Sequence, residues 1–149
     1  MRNGTRPLTI LWASDAPWHP TGYGVTTNYI CRRLAQEGHR VFCYAPGAFH
    51  YGEVELAPNL TVLSSSYGDD RWGNTTFGRH LVEVNPDVVV TWLDAHGLNA
   101  YGWSEHPTFI YAPVDTWPVP QQEVAVYGRA ARIMAPSKWG QEVLAKQGI

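Results

Sequence analysis

The chain has 149 residues, of which 44% are hydrophobic and 16% charged, a composition that suits one globular domain and excludes a disordered chain. Eleven Lys and Arg against 13 Asp and Glu leave a formal net charge of −2, so no basic field invites nucleic acid or anionic lipid. The longest apolar runs are strand-sized, so no transmembrane segment is expected; MRNGTRPLTI at the start holds no apolar stretch of signal-peptide length, so a cytoplasmic protein is expected.

Leu8 to Ser14 (LTILWAS) is a continuous apolar run, the pattern of a strand buried on both faces of a parallel sheet. An odd, stiff loop follows, PWHPTGYG (residues 17 to 24), in which two prolines bracket Trp18 and His19 and two glycines flank Tyr23. The next segment is helical: Thr27, Ile30, Cys31 and Leu34 share one face, and Gly38 is placed to end it. Val41 to Ala45 is the second strand, stopped by Pro46-Gly47, and Leu60 to Ser64 is the third, after a stretch too irregular to read. Phe77, Leu81 and Val84 form a helical face that must finish before Pro86.

DVVVTWL (Asp87 to Leu93) is the clearest strand, and TFIYA (Thr108 to Ala112) is the fifth, closed by Pro113. Val124, Tyr127 and Ala131 make another helical face after Pro120, which suits a first helical turn. Arg132 to Ala135 is a short sixth strand. Ser137 then caps a last helix, Lys138 to Gln147, with Gly148 as its stop. Cys31 and Cys43 fall on a helix and a strand, where reduced, buried thiols are expected.

Strands separated by helices of this length predict an α/β fold: a doubly wound, Rossmann-like parallel sheet ordered 3-2-1-4-5-6 with strands one and four central. In such sheets ligands bind beyond the carboxyl ends of the strands, near the point where the order reverses. The polar, Gly- and Pro-rich segments follow strand ends: Asp15 to Gly24, Asp94 to Gly97, Asp115 to Pro120, and Ser137-Lys138. Together they predict a cleft.

The segment Thr21-Gly22-Tyr23-Gly24 opens a helix, where unpaired N–H groups favour an anion such as phosphate and glycines allow close approach. A plain strand-to-helix turn is the competing reading. Gly22 and Gly24 are followed by Thr27 rather than a third glycine, so the dinucleotide fingerprint fails, and no GK[ST] is present. His19, His39, His50, His80, His96 and His106 show no metal-ligand spacing, and Asp69-Asp70 reads as a solvated loop. Asp94, His96 and Asp115 carry more weight, because a carboxylate or imidazole at a strand's carboxyl end can orient a hydroxyl or take its proton. Their competing role is a cap or a loop hydrogen bond. Trp18, Trp72, Trp103 and Trp117 lie outside the periodic segments; such tryptophans pack under loops or present flat faces to sugar rings and bases.

Taken in order, ILWASDAPWHPTGYG with its helix, CRRLAQEGHRVFCYAP, VNPDVVVTWLDAH, FIYAPVDTWPVP and ARIMAPSKWGQEVLAKQGI resemble the N-terminal domain of retaining glycosyltransferases of family four, which have the GT-B architecture. The similarity spans residues 8 to 149 and is weakest between 47 and 82. The combination of segments carries it, rather than any one motif. The resemblance implies sugar transfer from a nucleotide-sugar donor to an acceptor hydroxyl with retention, without metal or other cofactor. It places Asp115 and His96 in catalytic, acceptor-side positions. It places Asp15, Trp18, His19, Gly22, Tyr23, Gly24, Asp94, Ser137 and Lys138 along the substrate-binding face.

A GT-B enzyme has a second domain that holds most of the donor, so this sequence is expected to be the acceptor-binding half, inactive alone. Trp18, Tyr23, Trp117 and Trp139 are expected on or near the face that meets the other half, and self-association or a partner chain is expected there. A stand-alone glycan- or nucleotide-binding module without catalysis, or an unrelated doubly wound domain, are the alternatives.

Overall fold

The computed structural model describes residues 6–48, 52–64, 72–98 and 106–149; Asp69, Asp70, His50 and Trp103 lie outside them. In chain order the elements are β1 (Thr9–Ala13), α1 (Gly22–Gln36), β2 (Arg40–Ala45), β3 (Glu53–Ala57), β4 (Leu60–Ser64) and α2 (Asn74–Val84). Then come β5 (Val88–Thr91), a 3-10 turn (Ala95–Leu98), β6 (Thr108–Tyr111), α3 (Gln121–Tyr127), β7 (Arg132–Met134) and α4 (Lys138–Lys146).

The strands form one sheet in the order β3-β4-β2-β1-β5-β6-β7. Removing β3 leaves the predicted order 3-2-1-4-5-6, all parallel, with β1 paired to both β2 and β5. The addition is β3, an antiparallel edge strand on β4 that the sequence reading passed over. Ala57 pairs with Leu60, so Pro58 and Asn59 make the turn, and Asn59 takes the left-handed φ of 64° that Asn tolerates.

Alternation along the central strands feeds two cores. Leu11, Ala13, Val89, Leu93, Ile110 and Ala112 face α2, α3 and α4 through Phe77, Leu81, Val126, Tyr127, Val143 and Leu144. Ile10, Trp12, Val41, Cys43, Val62, Val90 and Trp92 face the other way, packed with Cys31 and Ala35 of α1. The Trp12 indole N–H donates to the Thr27 hydroxyl at 3.1 Å, locking β1 to α1. Cys31 and Cys43, both fully buried and unoxidised, sit side by side between α1 and β2; burial and the partner thiol push the Cys31 thiol up. Glu37 caps α1, and Gly38 leaves it at a φ of 97°, as the sequence predicts.

At the amino edge of the sheet, Asp87 accepts from the Thr9 N–H at 2.8 Å and from Arg6 at 2.6 Å. The carboxyl edge is fastened too. Ser14 donates its hydroxyl to the Trp92 carbonyl at 2.8 Å, while the Trp92 N–H donates to Ala13 O at 2.9 Å. The ends of β1 and β5 are thereby fixed relative to each other, where the strand order reverses. Among the described residues no helix is long and apolar enough to cross a membrane.

Candidate functional site at the carboxyl edge

The loop after β1 is built on its own backbone. The His19 N–H closes onto Ala16 O at 2.9 Å. Thr21 then caps α1: its hydroxyl oxygen accepts from the Gly24 N–H at 2.9 Å and donates to Asp15 Oδ2 at 2.6 Å. Asp15 thus orients the cap. The helix starts at Gly22, so Gly22, Tyr23 and Gly24 form its first turn rather than a free loop.

The two glycines differ. A Cβ on Gly24 would lie 2.3 Å from His19 O and 2.8 Å from Ala16 O, so its smallness serves the packing of helix on loop. A Cβ on Gly22 would meet nothing within 4 Å. Gly22 is therefore the open position at the helix start, and Gly24 is buried. Trp18 stands exposed, its ring edge-on to His19 with centroids 6.4 Å apart.

Tyr23 reaches across the edge. Its hydroxyl donates to Asp94, which follows β5, and its ring meets Trp92 at 4.9 Å between centroids. Trp92 in turn packs on Tyr111 of β6 at 4.3 Å. A row of three aromatic rings therefore runs from α1 across β5 to β6, ending beside the loop that carries Asp115. Burial, the bond to Asp94, and the charges of Asp94, Asp115 and Asp15 all raise the Tyr23 phenol well above its ordinary value. The phenol stays a proton donor throughout the physiological range.

Helix α3 packs against the 3-10 turn that carries His96. Glu123, in the first turn of α3, has its carboxyl pushed up, first by burial and then by Asp115 and Asp94, with His96 pulling the other way. Tyr127, one turn further on, is raised by burial and by Glu123, Asp115 and Asp94. His96 is exposed, with its ring edge-on to Trp72 at 5.3 Å.

The structure therefore brings Asp94, Asp115 and Asp15 within electrostatic reach of Tyr23, and His96, Asp115 and Asp94 within reach of Glu123. Ser137 and Lys138 stand at the start of α4. The Ser137 hydroxyl accepts from the Gly140 N–H at 3.0 Å and is spent on capping, while Lys138 is exposed. Glu123 and Tyr127 joined the group without being singled out in the sequence, because α3 reads there only as a core-facing helix. An acid in the first turn after Pro120, one turn before a buried Tyr, was the available signal.

Chemically, the edge offers carboxylates that accept hydrogen bonds, phenols that donate them, and aromatic faces that exclude water. Such a set can orient a polyhydroxylated molecule. Among the described residues no group of three or more His, Cys, Asp or Glu is placed to hold a metal ion. A separate open groove of about 430 Å³, walled by Ile133, Ala135, Gln141, Leu144, Ala145 and Ile149, shares none of these residues.

No family model matches the chain, and no curated protein matches it. Among solved structures it is similar to the one described as trehalose-6-phosphate from E. coli bound with UDP-2-fluoro glucose. The TM-score is 0.55 at 11% identity, over 93% of this chain and 43% of that one. It is also similar to the Bordetella bronchiseptica enzyme WbmG in complex with NAD and UDP, with a TM-score of 0.49 at 12% identity, over 87% of this chain and 52% of that one. What the first of these likenesses shows is the fold. The chain is a Rossmann-like α/β domain that spans about half the length of either neighbour.

Proposed function

We propose that this chain is the acceptor-binding half of a retaining glycosyltransferase of GT-B architecture, moving a sugar from a nucleotide-sugar to an acceptor hydroxyl. The observation that carries the reading is the Tyr23–Asp94 hydrogen bond where the strand order reverses, with Asp115 within electrostatic reach of Tyr23 and His96 within reach of Glu123. The segments that resemble family four supply these residues, apart from Glu123. The E. coli neighbour, bound with UDP-2-fluoro glucose, shows that this fold accompanies nucleotide-sugar binding in that protein.

In the proposed reaction the donor's leaving phosphate oxygen takes the acceptor proton. Asp115 and His96 hold the acceptor hydroxyl, and Asp94, fixed by Tyr23, orients a second hydroxyl. No step needs a metal. The aromatic row from Tyr23 to Tyr111 lines the acceptor side, with Trp18 and Gly22 at its rim. Trp18, Trp117 and Trp139 are 44%, 55% and 48% exposed, each in a loop or first turn beyond a strand's carboxyl end. They form the surface that meets the donor-side half or a partner chain.

Calorimetric titration with several nucleotide-sugars tests the reading. Weak, millimolar-range binding is expected, since the donor-side half makes most contacts to base and diphosphate. Sub-micromolar affinity for any donor would overturn the acceptor-half assignment. In the complete enzyme, Asp115→Ala should lower turnover per folded molecule and leave donor binding and thermal stability nearly unchanged. Unchanged turnover with lowered stability would reduce Asp115 to a loop residue. Tight glycan binding with no transfer in the complete protein would instead identify a binding module.

A further inference from the structure

We propose that Trp72 is a positioning residue for His96, holding its imidazole at the rim of the cleft; the functional sense of this rests on the acceptor-side reading above. His96 is exposed on a 3-10 turn of only four residues. Across space the Trp72 ring stands edge-on to the imidazole, with centroids 5.3 Å apart and planes at 88°. That is the preferred geometry of an aromatic pair.

Trp72 is itself held from two sides. Its indole lies over Gly97, where a Cβ would come within 2.6 Å of the ring, so residue 97 must be glycine for the indole to seat. On the backbone side, Gly73 takes a left-handed φ of 68°, and a Cβ there would strike the Tyr44 phenol. The buried Tyr44 hydroxyl donates to Gly73 O and lies 2.5 Å from the Thr76 hydroxyl, so β2 fixes the direction in which the chain enters α2. The order of support is Tyr44, Gly73, Trp72, then Gly97 and His96. On the far side α3 packs on the same turn, with Glu123 within electrostatic reach of His96. The imidazole is therefore backed by an indole that is itself fixed in place.

The test uses the isotope-labelled full chain and reads His96 χ1 populations from three-bond couplings in the wild type, W72F, W72A and G97A. One dominant rotamer is expected in the wild type and in W72F, and averaged couplings in W72A and G97A with the rest of the spectrum intact. G97A displaces the indole without removing it, so it decides the matter should W72A fail to fold. Averaging already present in the wild type, or one retained rotamer in the folded variants, would overturn the proposal. A parallel titration of the wild type with millimolar UDP-glucose and glucose separates the two readings. If no resonance at the carboxyl edge moves, sugar transfer fails as a reading, while the rotamer comparison, which needs no ligand, still decides the role of Trp72.

Discussion

The Tyr23 hydroxyl donates to the Asp94 carboxylate, joining the first turn of α1 to the residue that follows β5 by a bond across 71 positions of sequence. Tyr23→Phe removes that donor and leaves a half-buried carboxylate without it. A hydrogen bond to a charged group contributes about 1.5–3 kcal/mol, and part exposure of the pair puts the expected loss at the low end. Urea denaturation at pH 7 should show a lower midpoint with an unchanged slope. The phenol's raised value adds a signature: its stability contribution is complete below the ordinary 10.0 and lost as the pH climbs above it. The Phe variant should lack that alkaline decline.

The glycines of α1's first turn should separate cleanly. Gly24→Ala drives a Cβ into the carbonyls of His19 and Ala16, neither of which is a flexible side-chain end, and should cost about 3 kcal/mol. Gly22→Ala meets open space at a helical position and should be neutral or stabilising by up to about 1 kcal/mol. Thermal melts of the two variants side by side are the check, and equal effects would refute the packing role of Gly24.

Glu123 gives a prediction whose sign runs the other way from most carboxylates. Its folded-state value is raised above the ordinary 4.5, so the native chain holds that proton more tightly than the unfolded one. Stability from this group is complete below 4.5 and falls as the pH rises through the folded value. Glu123→Gln should therefore match the wild type in acid and overtake it toward neutrality. Denaturation midpoints of both proteins across that window would show it. A variant that is less stable at every pH would contradict the assignment.

Asp87 behaves conventionally. The Thr9 N–H and Arg6 lower its carboxyl below the ordinary 3.8. Its contribution is present above 3.8 and is lost as the pH falls through the folded value. Asp87→Asn should be less stable than the wild type at neutral pH, and the gap should close in acid. A gap that persists in acid would point to lost packing instead.

The parallel strands and their order were legible because double-sided burial leaves unbroken apolar runs such as LTILWAS and DVVVTWL. β3 was missed for the complementary reason. At an edge, Glu53, Val54 and Glu55 are exposed, so no apolar run marks them. The clue was the turn pair Pro58-Asn59 between EVELA and LTVLS, which reads as a hairpin once both flanks are considered. At the site, strand-end carboxylates were visible from Asp94 and Asp115 alone. Sequence position could not separate Gly22 from Gly24, since the difference lies in what the backbone of residues 16 and 19 does beside them. Trp72 and His96 lie 24 positions apart, and only the folded chain brings their rings together.

The paired thiols of Cys31 and Cys43 give the molecule a built-in reporter. Both are sealed between α1 and β2, so an alkylating reagent can reach them only when the helix lifts from the sheet. Because Tyr23 and Gly24 belong to that same helix and Thr21 caps it, the labelling rate reads the opening of the unit that carries the Tyr23–Asp94 bond. A ligand that bridges Tyr23 and Asp94 should slow the labelling of a cysteine pair buried deep in the core, with no need for the ligand to touch either sulfur.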